Sequence, residues 1–389
     1  MMIDQTEATS PKPTGGSTVS SSESVPLVDL QIQHRQIADE VEEGWARVVA
    51  TGAFILGDEA AAFEEEFADY CGVSHCAGVG NGTDAVEFAL RALGIGAGDE
   101  VILPANTFIA TAEAVARAGA RPVLVDCHPD GYLIDVERAA AAVSPRSRAV
   151  VPVHLFGQLA PMDELQEVAD RTGIALVEDA AQSQGAARGG RRAGSWGRAA
   201  ATSFYPGKNL GAYGDAGAVL TDDPEVDRRI RTLRDHGSAV KYRHDELGFN
   251  SRLDGLQAVV LRAKLRRLDT WNEQRRTAAD RYAALLAELD AVRLPTVESS
   301  NVHVWHLYVV EVDERDVVLA RLHAEGIGAG IHYPVPVHLQ GAFSGLDHGV
   351  GDFPNAERAA GRMLSLPIYP GITEAQQVRV AEALAKALT

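Results

Sequence analysis

The chain has 389 residues, 46% of them hydrophobic and 23% charged, which suits a globular enzyme with one large core and a smaller second lobe. Its 36 Lys+Arg against 54 Asp+Glu give a formal net charge of -18, a field that repels polyanions and argues against binding nucleic acid or an anionic membrane. Any phosphate-bearing ligand must then be held by local groups.

In chain order, residues 1–24 are rich in Ser, Thr, Pro and Gly and are expected to form a disordered leader. They lack a basic stretch followed by an apolar one, and no later run approaches the roughly 18 apolar residues of a membrane helix. Residues 33–50 read as a helix, and 54–72 as a turn followed by a second helix. The three cysteines, Cys71, Cys76 and Cys127, have no CxxC spacing. They are expected as buried thiols in a reducing cytoplasm, without disulfide or zinc.

From residue 75 onward, short apolar runs recur: HCAGVG (75–80), VILPA (101–105), PVLVD (122–126), AVVPVH (149–154), IALVED (174–179), AATSFY (200–205) and GAVLTD (217–222). With helix-like segments between many of them, they predict a mainly parallel seven-stranded sheet covered on both faces, an α/β fold. Residues 256–271 read as a long connecting helix. Beyond it, VWHLYVVEV (304–312) and GAGIHYPV (328–335) read as strands, and helices are expected near 316–325, 355–364 and 373–388. The domain reading is a large α/β domain over 25–255 and a small α+β domain over 256–389.

Ligands in such sheets sit beyond the carboxyl ends of the parallel strands, so the residues after each run carry the functional question. VGNGTDAVEFALRAL places Gly82 and Thr83 at a helix start, where free N–H groups favour a phosphate. The dinucleotide fingerprint fails there, because Thr83 stands where a third glycine is needed; a plain glycine turn without a ligand remains open. Asp179 ends a core strand, a costly position unless donors or a cation satisfy it, although a helix cap would also explain it. Glu178, on the alternate face, reads as structural.

Lys208 follows AATSFY in TSFYPGKNLGAYGD. A P-loop is excluded because Thr202 stands at the first glycine position and Asn209 follows the lysine. Packed by Tyr205, Pro206 and Gly207, a partly desolvated lysine has the lowered pKa that imine chemistry needs. A phosphate seat, an acid for a ring nitrogen and an imine-forming lysine are together what pyridoxal 5'-phosphate requires, and Phe108 is placed to stack on its ring.

The motifs NGTDAVEFAL, PANTFIATAEAV, VEDAAQSQGA, SFYPGKNLGAYGDAG, GFNSRLDGLQAVVL and HYPVPVHLQ resemble those of the DegT/DnrJ/StrS nucleotide-sugar aminotransferases, of the aspartate aminotransferase fold (fold type I), over about residues 26–389. The resemblance implies that Lys208 forms the imine with the cofactor and that Asp179 pairs with its pyridinium nitrogen. It also implies that Gln182 contacts the phenolic-oxygen side of the ring, on the same side as Asp179 if this stretch is helical. Gly82, Thr83 and Ser203 would hold the phosphate, and Asn250 would reach the phosphate of a neighbouring subunit in a homodimer. Pyridoxamine 5'-phosphate would be the intermediate form, L-glutamate the donor and a nucleotide-linked keto-sugar the acceptor. The motifs look most like the branch that aminates C3 of dTDP-3-keto-6-deoxyhexoses.

His332, Tyr333 and His338 are candidates for the sugar pocket, and Lys241 and Arg243 for the diphosphate. A metal at His332 and His338 is disfavoured by the intervening prolines. Trp305 and His306 are expected to alternate in a strand, so at most one of them faces the cleft.

Overall fold

The computed structural model describes residues 24–389, so the leader expected over 1–24 lies outside the described residues except for Ser24. Seven strands form the main sheet: β1 (His75–Val79), β2 (Glu100–Pro104), β3 (Arg121–Val125), β4 (Ser147–Val150), β5 (Ala175–Asp179), β6 (Ala199–Ser203) and β7 (Gly217–Thr221). Their order is β1-β7-β6-β5-β4-β2-β3. All neighbours run parallel except β7, which is antiparallel to both β1 and β6. The strands are buried on both faces, as their near-continuous apolar sequences require.

Helices α2 (Gly57–Cys71), α3 (Gly82–Ala92), α4 (Ile109–Ala118), α5 (Val136–Ala141), α6 (Met162–Thr172) and α7 (Pro224–Arg234) lie around this sheet, while α1 (Leu30–Thr51) packs further out, its Ile37 and Val41 against Val260 and Trp271. The side chain of Asn81 starts α3 by accepting from the Asp84 N–H at 2.9 Å. Phe88, Ala89 and Leu90 of α3 are completely buried, and sealing each of the two larger side chains contributes about 1.5–3 kcal/mol. A helix so tied at one end and packed along its length presents its first turn at a fixed point beside the strand ends.

Four local expectations are corrected. Residues 256–271 are not one helix: α8 (Gly255–Leu265) and α9 (Leu268–Leu286) are separated at Arg266 and Arg267, where the φ of Arg267 widens to -114° with ψ -5°. Helix α8 packs on α1 and α2, whereas α9 turns to pack on the last helix, α12 (Glu374–Ala387), and a straight rod could not serve both. The segment 328–335 forms no strand; only Gly330 bridges to Ser365, and Pro334 has no N–H to extend the pairing. The strand β4 stops at Val150, short of the expected His154, because Pro152 cannot donate. Finally, only Tyr308–Glu311 of VWHLYVVEV is strand (β8), pairing with β9 (Met363–Leu366). Trp305 has φ +47°, so Trp305 and His306 do not alternate in a strand.

The second core joins Val25 to Ala278, Tyr282 and Leu286 of α9, to Val310 and Leu364 of the two-stranded sheet, and to Val318 and Leu322 of α10 (Arg315–Ala324). Helix α11 (Pro354–Arg362) leads into β9. Cys71, Cys76 and Cys127 are all free and buried.

Candidate active site

A cavity of about 440 Å³ opens at the carboxyl ends of the central strands, between the sheet and the C-terminal segments. That size suits a small-molecule site. Its wall includes Gly82, Thr83, Phe108, Asp179, Gln182, Ser203, Lys208, His332 and Tyr333. Residues far apart in sequence meet here because Gly82, Thr83, Phe108, Asp179 and Ser203 end a strand or start a helix, while Gln182 and Lys208 lie in turns just beyond strands and His332 and Tyr333 come from an irregular C-terminal segment.

Asp179 is the last residue of β5 and is held at both ends. Its backbone N–H donates to Pro152 O at 3.0 Å and its carbonyl accepts from His154 N at 3.0 Å. Its carboxylate accepts from Thr111 Oγ1 at 2.7 Å and from the Ala181 N–H at 3.1 Å. Thr111 is in turn hydrogen-bonded to Thr107 at 2.8 Å. These donors fix the carboxylate's aim while leaving lone pairs for a ligand. Nothing in the sequence marks Thr111 beyond its place in the first turn of the helix after β2.

Glu178 is the structural acid. It accepts from the backbone N–H groups of Gly194, Trp196 and Gly197 and is paired with His154 at 2.9 Å. Complete burial pushes its pKa up, but these donors outweigh burial and hold it below the ordinary glutamate value.

Lys208 sits in a tight turn after β6, its N–H donating to Tyr205 O at 2.8 Å. The return of this turn needs Gly211, since a Cβ there would lie 2.3 Å from Pro206 O. Burial lowers the Lys208 amine to about 8, with Asp179 pulling in the opposite direction. An amine with a pKa near 8 still carries its charge for the most part at neutral pH, yet it keeps a far larger free-base fraction for attack on a carbonyl than an ordinary lysine does.

At the other end of the cavity, Gly82 opens α3 directly against Ser203, the last residue of β6. A Cβ on Gly82 would lie 2.5 Å from Ser203 Cβ, so only glycine lets the helix N-terminus and the serine hydroxyl meet. Together with Thr83 they form a seat of donors suited to one phosphate. Gln182 lies in a turn, not the helix on which its placement was expected. Its Oε1 accepts from Phe156 N at 2.7 Å and its Nε2 donates to Tyr333 Oη at 3.0 Å. Phe108 is 49% exposed and stands 5.1 Å from the Tyr333 ring, the two lining the same side of the opening. His332 accepts or donates at Ser365 Oγ, 2.8 Å away, and burial beside Lys208 lowers its pKa to about 4.

Other candidates lie elsewhere. His338 is buried away from the cavity, paired with Glu357 at 3.1 Å and packed edge-on against Phe353, so its expected place in the sugar pocket is corrected to a structural one. Lys241 and Arg243 are exposed on a hairpin (238–244), and neither they nor Asn250 line their own chain's cavity. Among the described residues no cluster of His, Cys, Asp and Glu suits a metal, and no helix is long and apolar enough to cross a membrane.

The donor set fits pyridoxal 5'-phosphate: a phosphate seat that a Cβ would fill, a fixed carboxylate for the ring nitrogen, and a weakly basic lysine in one cavity. The model of the DegT/DnrJ/EryC1/StrS aminotransferase family matches residues 35–385. A dTDP-3-amino-3,4,6-trideoxy-alpha-D-glucose transaminase from Streptomyces venezuelae is 48% identical over 92% of this chain and 95% of its own. The crystal structure of S. venezuelae DesV in complex with a ketimine intermediate superposes with a TM-score of 0.91, at 47% identity over 93% of this chain and 98% of that one. NtdA from Bacillus subtilis, solved with bound cofactor PMP, gives 0.86 at 32% identity, over 94% of this chain and 85% of that one. The chain belongs to this family, and its cofactor is pyridoxal phosphate.

Proposed function

We propose that this member of the DegT/DnrJ/EryC1/StrS aminotransferase family moves an amino group from L-glutamate to C3 of a dTDP-3-keto-6-deoxyhexose, in the making of an aminosugar. The observation that carries the reading is the cavity that joins Lys208, Asp179 and the Gly82/Thr83/Ser203 seat. The transaminase with 48% identity over nearly the whole chain supports the sugar and the carbon.

When bound, the cofactor supplies an electron sink for the carbanion formed at the amine-bearing carbon. The chain's residues do the rest. Lys208 would hold the cofactor's carbonyl carbon and, once free, would move the proton at the substrate's amine-bearing carbon, a task suited to an amine with a pKa of about 8. Asp179 would keep the ring nitrogen protonated, and Thr111 keeps Asp179 aimed. Gly82, Thr83 and Ser203, which line the cavity, would hold the phosphate, and Phe108 and Gln182 would hold the ring. Tyr333 and His332, which also line the cavity, would meet the substrate.

The only ammonium or guanidinium group among the residues lining the cavity is that of Lys208, which leaves the sugar nucleotide's diphosphate without a cation from its own chain. We assign that role to Lys241 and Arg243 of a second copy, whose Asn250 reaches the phosphate of the cofactor. The active unit is accordingly a homodimer with shared sites. The purified protein is expected to be yellow, to bleach with L-glutamate and to regain colour with a dTDP-3-keto-6-deoxyhexose. A spectrum that never responds to glutamate overturns the donor, and NMR showing amination at C4 overturns the carbon.

A further inference from the structure

His306 lies on the cavity wall, only 9% exposed, and its two ring nitrogens have unequal surroundings. Nδ1 is 3.2 Å from Asn209 Oδ1. The amide of Asn209 cannot turn over, because its Nδ2 donates both to Asn272 Oδ1 at 2.8 Å and to Val304 O at 2.9 Å. Asn272 is held in turn, its Nδ2 donating to Gln184 O at 2.9 Å. With an oxygen fixed opposite Nδ1, that nitrogen must carry the proton. Burial and the nearby positive charge of Lys208 push the imidazole's pKa well below its ordinary value, so Nε2 keeps its lone pair. Among the described residues Nε2 has no hydrogen-bond partner.

We propose that His306 is a specificity-determining residue whose Nε2 accepts a hydrogen bond from a hydroxyl of the keto-sugar, and that Asn209 and Asn272 are positioning residues that hold it in the acceptor tautomer. The chemistry separates the two substrates. Once its amine has reacted, L-glutamate offers carboxylate oxygens, which are acceptors only and are repelled by a lone pair. A sugar brings hydroxyl donors. A site built to accept from a hydroxyl rejects an analogue that lacks it far more strongly than an apolar wall does. This inference rests on the proposed sugar reaction and deepens it.

The two half-reactions, followed separately by absorbance in single turnovers, test the role. His306→Leu should lower kcat/KM for the sugar half-reaction by about tenfold or more, and leave the glutamate half-reaction within about twofold. His306→Gln, which restores an acceptor, should recover part of the loss. Equal losses in both halves, or none in either, overturn the proposal. Nitrogen-15 NMR of the histidine side chains in the holoenzyme reads the tautomer independently of any sugar. Nε2 should show the shift of an unprotonated nitrogen from pH 6 to 8, and Asn209→Leu should mix the tautomers. A protonated Nε2 in the unsubstituted protein overturns the inference even if Asn209→Leu does not fold. If the holoenzyme accepts no nucleotide-linked keto-sugar, the reaction assigned above fails, whereas the tautomer measurement still decides the acceptor.

Discussion

Lys208 gains its reactivity from position and not from its neighbours in sequence. Burial lowers its amine to about 8 and the carboxylate of Asp179 opposes that shift. In the cofactor-free protein, labelling of Lys208 by an amine reagent, followed by mass spectrometry, should rise as pH passes through about 8. Removing the opposing charge with Asp179→Asn should move this midpoint down, and an upward move would contradict the assignment. Gly82 is the second residue on which the site turns. Gly82→Ala places a Cβ where Ser203 Cβ already stands, 2.5 Å away. The expected outcome is a folded protein that binds pyridoxal phosphate at least about tenfold more weakly, in line with loss of one or more charge-assisted hydrogen bonds, measured by titrating cofactor into the stripped protein.

At the level of elements, the end of β5 combines two neighbouring acids with different tasks. Strand alternation sends Glu178 into the loop 194–197 and Asp179 into the cavity. Glu178→Ala leaves the buried His154, the buried Gly194 N–H and the part-buried Trp196 and Gly197 N–H groups without their acceptor, and should cost about 3–5 kcal/mol in urea unfolding. Because the folded-state pKa of Glu178 is depressed, its contribution is present above the ordinary glutamate value and is lost as pH falls through the folded value. The penalty of Glu178→Ala should therefore shrink in acid. Pro152 and the irregular path after it matter in the same way: β4 stops early, and the freed carbonyl and the His154 N–H clamp the backbone of Asp179. The helices α8 and α9 show where periodicity misleads, since an apolar stripe continues through Leu265 and Leu268 although the axis turns between them.

For the whole molecule, the strongest expectation concerns the second copy. Val240, Tyr242 and Leu247 are exposed on and beside the hairpin that carries Lys241 and Arg243, with Leu247 95% exposed. If Asn250 serves the neighbouring subunit's cofactor, Lys208→Ala and Asn250→Ala chains, each impaired alone, should complement when mixed. Random pairing yields heterodimers with one intact site each, so an equimolar mixture should regain about a quarter of the unsubstituted activity. No recovery would mean that Asn250 acts within its own chain or not at all.

The sequence by itself determined the seven core strands and the helices that begin at their ends, and it pointed to candidate residues at those ends. Such features follow from local apolar runs and from Gly, Pro and capping residues, which act over a few positions. The motifs also sufficed to place the chain beside its family. Only the tertiary structure decided what depends on partners distant in the chain. Thr111 aims Asp179 across 68 residues, and Asn209 orients His306 across 97. His338, six residues beyond a cavity-lining histidine, turns away to Glu357. Spacing along the chain cannot reveal such choices, because a buried polar group takes whichever donor or acceptor the packed core brings to it.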